Sequence, residues 1–377
     1  MDNTKRKSPY AGEWKPFFKK LPWLLLIPAF YGIGILAAKY PDTTENVYSA
    51  PLYPYISRAL GYITSLARGV SVSECVVLGL IVAAIVLVIV FIVKLFSGRL
   101  RFAQLMSFIM GICVFASFMF ALFYIDWGFN YMRPSLYRRM DLSLEQRPVE
   151  ELDALCKRLA ASANALRSGL KEDENGVFAL DSAAEFSKIP AAYRLLGADY
   201  SIFSGTVYPA KGVKASVAMS YGGIAGIYIP YFAEANVNIN QPALLIASSA
   251  AHETAHYLGV AREDEANFVS YLACTYSLDA SVRYSGTMLA LINCANQLYA
   301  SDAELYRRLV SEYYSEGMLR DLRDYNAYWD SFEGPIEEAV DNMNDNYLKF
   351  NKQENGVKSY GMMVDLLLAY YAKGSAQ

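Results

Sequence analysis

The chain has 377 residues, of which 54% are hydrophobic and 19% are charged, and its mean hydropathy is +0.17. Soluble domains carry charges at about a quarter of their positions, so this composition favours membrane-embedded segments and excludes an intrinsically disordered chain. The 34 basic residues are balanced by 37 acidic ones, which argues against a nucleic-acid partner, and five cysteines are too few for a disulfide scaffold.

Three uncharged apolar runs follow one another in the first third of the chain. They cover residues 21–38, 75–93 and 105–125, or 18, 19 and 21 residues. A bilayer is crossed by about 20 apolar helical residues, and a soluble helix would keep a polar face. The first run is too long for a signal peptide and lacks a clear cleavage site. The sequence therefore predicts three transmembrane helices within a membrane domain of residues 21–126.

The charges on the short connecting segments predict the orientation of these helices. Residues 1–20 hold six basic and two acidic residues, and residues 94–104 hold three basic residues and no acid. Residues 39–74 are balanced, with three of each sign. Because positively charged loops stay in the cytoplasm, we expect a cytoplasmic basic N-terminus and an extracytoplasmic domain of residues 127–377 at the cytoplasmic membrane.

Apolar residues recur at helical spacing in the first external loop, at Ile56, Leu60, Ile63 and Leu66. This pattern is typical of a short amphipathic helix that lies on the membrane surface.

After residue 126 the charges return and the apolar residues become periodic. Strand-forming residues are concentrated in residues 216–240, where Gly222 and Gly223 interrupt them. The pattern predicts a mainly α (α+β) domain with a small β-sheet. The predicted helices cover residues 149–169, 182–195, 243–258, 263–278, 286–299, 302–331 and 358–372.

Both histidines of the chain lie in one HExxH motif, Ala251-His252-Glu253-Thr254-Ala255-His256, on a predicted helix. At positions i and i+4, His252 and His256 project from the same face and can bind one zinc ion. Glu253 is placed to act as a general base toward the attacking water. The motif therefore predicts a catalytic Zn²⁺ site.

No third histidine exists, so we expect the third zinc ligand to be a carboxylate. Glu263 and Asn267 share a face of the next predicted helix, and this spacing resembles the second signature of the gluzincin class of zinc metallopeptidases. The resemblance implies that Glu263 is the third zinc ligand and that Asn267 orients a ligand histidine from the side of the ring that faces away from the metal. Glu265 is the alternate ligand, and Asp264 or no protein ligand is also open.

The metzincins place a third histidine where this chain has Arg262, which cannot bind zinc, so membership of that class is not expected.

The resemblance extends over nearly the whole chain. The three N-terminal membrane helices, the segments 127–134 and 234–238, the HExxH motif and a run at 356–361 resemble an uncharacterised bacterial family of membrane-anchored HExxH proteins. This resemblance implies a zincin-like fold with a zinc site. It implies no substrate.

Further residues are candidates for handling a peptide substrate. Tyr360 could donate to the oxyanion of a cleaved peptide bond, or it could simply pack. The predicted strand 227–238 could bind an extended peptide by main-chain pairing. Glu234 or Asn236 could contact the backbone or N-terminus of the substrate, or they could close a hairpin.

Together these features predict a membrane-anchored zinc metallopeptidase, a hydrolase that cleaves peptide bonds of a peptide or protein outside the cytoplasmic membrane. One alternative is a non-catalytic zincin-fold module for binding or assembly at the cell surface. A second alternative is an intramembrane or signalling protease.

Overall fold

The computed structural model describes residues 13–98, 101–350 and 360–375. Most of the basic N-terminus (residues 1–12), Arg99 of the second loop and residues 356–359 of the C-terminal run lie outside the described residues.

Three long helices near the N-terminus are apolar and long enough to cross a membrane, which confirms that prediction. They run from Lys15 to Lys39, Val72 to Phe96 and Phe102 to Asp126. The first contains α1 (Lys15–Lys20), a 3₁₀ segment (Leu21–Leu25) and α2 (Leu26–Lys39). The other two are α5 (Val72–Phe96) and α6 (Phe102–Asp126).

The segment between α2 and α5 packs against the part of the chain that follows α6, where Tyr53 and Ser57 bond to Tyr257. It contains α3 (Pro41–Thr44), a π-helical turn (Glu45–Ser49) and α4 (Tyr53–Ser65). The buried face of α4 is formed by Tyr53, Ser57, Gly61 and Thr64. A Cβ on Gly61 would lie 2.8 Å from the Tyr257 ring, so glycine permits the close approach. Of the predicted apolar face, Ile63 and Leu66 are exposed, whereas Ile56 and Leu60 pack against the buried cluster that contains Tyr53.

The chain beyond α6 forms a mostly helical domain with a small sheet, which confirms the predicted fold class. The helices and strands, in chain order, are α7 (Leu136–Arg139), α8 (Val149–Arg167), α9 (Ser182–Asp199), β1 (Lys211–Val213), α10 (Ser216–Tyr221), β2 (Gly226–Ile229), β3 (Glu234–Asn238), α11 (Ala243–Tyr257), α12 (Glu263–Thr275), α13 (Ala280–Ser301), α14 (Ala303–Tyr313), α15 (Glu316–Asp330), α16 (Pro335–Phe350) and α17 (Tyr360–Ser375).

The sheet has three strands in the order β1-β3-β2, and β3 pairs in parallel with β1 and antiparallel with β2. The expectation of strand structure from residue 216 onward is corrected, because residues 216–221 form α10. The Ser216 hydroxyl donates to the Val213 carbonyl at 2.7 Å and accepts from the Ile239 amide at 2.8 Å. These bonds stabilise the turn between β1 and α10.

The predicted helix 302–331 is interrupted and forms α14 and α15. Asn164 of α8 causes the break, because its amide nitrogen donates to the Tyr313 carbonyl and its oxygen accepts from the Ser315 amide. The Ser315 side chain then accepts from the Met318 amide at the N-terminus of α15.

The core of the domain is a helix cluster in which α11, α12 and α13 pack against α8 and α9. Small residues permit this close packing. A Cβ on Gly286 of α13 would lie 2.2 Å from the Cβ of Cys274 on α12. The HExxH motif lies at the C-terminal end of α11, so the core fixes the helix that presents it.

Candidate metal centre

The motif helix α11 is rich in alanine, the residue with the highest helix propensity. The helix ends at Tyr257, and Gly259 follows with φ +81° in the left-handed region, where glycine commonly ends a helix. This geometry turns the chain directly into α12. The two helices therefore bring His252, His256 and the first turn of α12 together.

His252, His256 and Glu263 form a cluster whose potential ligand atoms all lie within 4.8 Å of one another. The Nε2 of His252 lies 3.0 Å from Glu263 Oε2, and the Nε2 of His256 lies 3.5 Å from Glu263 Oε1. Donors placed about 2.0–2.2 Å from a tetrahedral zinc ion stand about 3.3–3.6 Å apart, so these separations are close to what zinc requires. The three side chains are 15%, 7% and 26% exposed, so the cluster is accessible from one side.

The opposite nitrogen of each imidazole is hydrogen-bonded to an oxygen. The Nδ1 of His252 lies 2.8 Å from Asn267 Oδ1, and the Nδ1 of His256 lies 2.7 Å from the Val260 carbonyl oxygen. Because these oxygens accept hydrogen bonds, each Nδ1 carries the hydrogen. In the neutral imidazoles each Nε2 lone pair is then directed toward Glu263, which is the tautomer that a metal site needs.

This donor set fits a divalent cation. Two imidazole lone pairs and a carboxylate are all acceptors, so their approach to within hydrogen-bonding distance requires a proton or a cation between them. Burial alone would lower the pKa of His256, but the Glu263 carboxylate outweighs burial and raises that pKa to about 9. Burial alone would raise the pKa of Glu263, but the charge of His256 and the hydrogen bond with His252 hold it well below its ordinary value.

Glu253 is buried between the cluster and β2. Burial raises the pKa of Glu253 above its ordinary value, although the two histidines oppose this shift. Its carboxylate accepts a hydrogen bond from the Tyr228 amide. A Cβ on Gly226 would lie 2.5 Å from Glu253 Oε1, so only glycine leaves room for the carboxylate there.

The side chain of Glu265, the alternate zinc ligand, lies outside the metal cluster. Its Oε1 accepts from the Leu136 amide at 2.7 Å and from Arg262 at 3.1 Å. The structure therefore brings Glu263 to the histidines, and Glu265 fastens α12 to α7.

Carbonyls at the C-terminus of α11 and just beyond it accept hydrogen bonds from three side chains that the site prediction did not include. Trp127 Nε1 donates to the His256 carbonyl at 3.1 Å, Tyr53 Oη donates to the Tyr257 carbonyl at 2.9 Å, and Arg133 Nη1 donates to the Gly259 carbonyl at 3.0 Å. Trp127 and Arg133 belong to a segment that the sequence singled out, whereas nothing in the sequence points to Tyr53.

Glu234 and Asn236 are buried, and their polar atoms bond to the segment that begins α5. Glu234 forms an ion pair with Lys211 at 2.6 Å and accepts from the Ser73 amide at 2.8 Å. Asn236 Oδ1 accepts from Ser71 Oγ at 2.6 Å. These bonds fasten β3 to the N-terminus of α5. The geometry therefore argues against the predicted substrate contacts, because these groups are already engaged inside the protein.

Tyr360 is the first residue of α17, and its side chain lies outside the described part of the structure. Its predicted role at the oxyanion stays a prediction.

No curated protein and no solved structure matches the chain. The family described as "Protein of unknown function (DUF3810)" matches residues 48–368, which include the whole metal cluster and all but the first membrane helix. The chain is therefore a member of the DUF3810 family.

Proposed function

We propose that this protein is a membrane-anchored zinc-dependent peptidase. The observation that carries the proposal is the convergence of His252, His256 and Glu263 beside the buried carboxylate of Glu253. Two imidazoles and one carboxylate are a ligand set of catalytic zinc sites, which leave a coordination position open for chemistry. The partial exposure of His252 and Glu263 supports access of a substrate from the same side.

In the proposed mechanism His252, His256 and Glu263 would hold a zinc ion. Once bound, that ion would supply a Lewis acid for the scissile carbonyl and would lower the pKa of the attacking water. Glu253 accepts the proton of the attacking water and passes it to the departing amine.

Asn267 and the Val260 carbonyl keep the imidazoles in the zinc-binding tautomer. The Tyr228 amide holds Glu253 in position from the sheet side.

We propose that the N-terminus is cytoplasmic and that residues 127–377 face the other side of the membrane. The support is the excess of basic residues before the first membrane helix and between the second and third. A peptide or protein outside the cytoplasm would then be the substrate.

The proposal is tested with detergent-purified protein and a mixture of peptides of known sequence, with new termini identified by mass spectrometry. The wild type is expected to cut peptide bonds, and a zinc chelator is expected to abolish the cutting. Glu253→Gln is expected to retain zinc and lose the activity. A wild type that binds zinc and cuts nothing, or a Glu253→Gln variant as active as the wild type, would contradict the proposal and favour a non-catalytic module.

A further inference from the structure

The metal cluster lies directly beside the end of a membrane helix. Trp127 immediately follows Asp126, the last residue of α6, and its ring centroid is 5.9 Å from that of His256. The side chains of α6 remain apolar and exposed almost to that end, with Leu122 at 40% and Ile125 at 44%. Exposed apolar side chains on a membrane helix face lipid, so α6 meets the membrane boundary close to Asp126. The cluster therefore lies at the level of the lipid headgroups.

The connection between β2 and β3 reaches deeper than the cluster. Residues 230–232 form a 3₁₀ turn that contacts α6, and Tyr231 Oη donates to the Met119 carbonyl at 3.2 Å. Met119 is seven residues before Asp126, the end of α6. Seven helical residues span about 10 Å, so the Tyr231 hydroxyl reaches up to about 10 Å toward the bilayer centre from the end of α6.

Strand β2 links this turn to Glu253. Gly226, its first residue, lies against the Glu253 side chain, and Ile229, its last, precedes the turn at membrane level. Among the described residues β2 pairs with β3 on one side only. On its other side the Tyr228 amide faces Glu253, and the Ile227 side chain is 41% exposed. Because that amide is engaged, a substrate segment would lie beside the exposed Ile227 side chain without pairing with this edge, and it would run from the bilayer to the Glu253 carboxylate.

Helix α4 extends the membrane-facing surface next to the site. Tyr53, its first residue, bonds to the end of the motif helix, whereas Tyr55, Tyr62, Ile63 and Leu66 are exposed. Aromatic and aliphatic side chains on one face of such a helix suit insertion into the headgroup region. The metal cluster is thus flanked by two elements that contact the bilayer.

We propose that the substrate is a polypeptide tethered to the same bilayer and cut next to its membrane anchor. This inference rests on the proposed peptidase function. Water adds across the scissile C–N bond and leaves a carboxyl terminus on one product and an amine on the other. Because extended residues span about 3.3 Å each and the His256 ring lies 5.9 Å from that of Trp127, the first residue after α6, the cut falls within about five residues of the membrane boundary.

The test uses wild-type protein in phospholipid vesicles. The substrate contains a randomised peptide segment of about twelve residues, which spans about 40 Å when extended, and it is prepared in three forms. The segment is joined to a transmembrane helix, joined to an acyl chain, or left soluble, at equal total concentration. Tethering raises the local concentration, so we expect cutting of a tethered form to be at least about 100-fold faster, with cuts clustered near the anchor. The helical and acyl forms distinguish the two kinds of anchor.

Equal cutting of the soluble form, or cuts spread evenly along the segment, would overturn the inference and leave the peptidase function standing. Cutting of none of the three forms would overturn the peptidase function and the inference with it.

A second measurement does not depend on turnover. In the Glu253→Gln variant, Ile227 is replaced by an amino acid with a photoreactive benzophenone side chain. In the matched control the same replacement is made at Ile239, which is 38% exposed and contacts Gly212 of β1 at the opposite edge of the sheet. We expect crosslinking to a tethered segment from position 227 and none from position 239. Equal crosslinking of tethered and soluble segments, or equal yields from the two positions, would contradict a route along β2.

Discussion

Gly226→Ala tests whether the close approach of β2 positions the Glu253 carboxylate for its proposed catalytic role. The added Cβ would lie 2.5 Å from Glu253 Oε1 and 2.8 Å from Glu253 Cγ, whereas ordinary contacts begin near 3.4 Å. The buried carboxylate would have to move by about 1 Å, and a misplacement of that size costs on the order of 100-fold in turnover. Overpacking would also lower the free energy of unfolding by about 1–3 kcal/mol.

The assay compares peptide hydrolysis, zinc content and the thermal unfolding midpoint of Gly226→Ala with those of Gly222→Ala. The control adds the same methyl group four residues earlier, where the nearest atom, on Ile224, lies at an ordinary 3.4 Å and φ is -97°. We expect Gly226→Ala to keep zinc, because none of the three zinc-binding side chains is changed, and to lose most of its activity. If it hydrolysed peptides as fast as the control, the assignment of Glu253 as the positioned base would be refuted.

Substitutions at three further positions test the side chains that support the cluster and the sheet. Asn267→Ala removes the acceptor for His252 Nδ1, so zinc affinity measured by chelator competition should fall about 10–100-fold. Asn267→Asp keeps an acceptor and should retain the zinc affinity. An unchanged affinity in the alanine variant would contradict the orienting role of Asn267. Trp127→Phe removes the donor to the His256 carbonyl and should lower the free energy of unfolding by about 1 kcal/mol with zinc retained, and equal stability would argue against that bond. Burial alone would raise the pKa of Glu234, but hydrogen bonds from Lys211 and Ser73 hold it below its ordinary value of 4.5. The stability from this group is therefore present at neutral pH and lost as pH falls through the lowered pKa. Between about pH 5 and pH 3 the unfolding midpoint of the wild type should fall more steeply than that of Glu234→Gln, and parallel curves would contradict this linkage.

The features that could be predicted from the sequence are those encoded by local patterns. An uncharged run such as residues 75–93 specifies a membrane helix by itself, because no distant contact is needed to satisfy its backbone. The spacing of His252 and His256 on an alanine-rich helix likewise specifies their common face.

The features that could not be predicted depend on partners distant in sequence. The sequence left Glu263 and Glu265 as alternatives, and the Leu136 amide, 129 residues away, engages Glu265. The sequence predicted that Glu234 could contact a substrate, but in the fold its carboxylate accepts a hydrogen bond from Ser73, 161 residues away. Residues 216–221 form a helix where the sequence predicted strand structure. The side-chain hydrogen bonds of Ser216 stabilise the turn before this helix, and no periodicity of apolar residues indicates them.

Zinc stoichiometry tests the central claim most directly. Elemental analysis of detergent-purified wild type is compared with that of His256→Ala, Glu263→Ala and the control Glu265→Ala, whose side chain lies outside the cluster. The account predicts a single zinc ion per chain in the wild type and in the control, and loss of zinc in the other two variants. A folded wild type that takes up no zinc, or a Glu263→Ala variant that retains it as tightly as the wild type, would contradict the account.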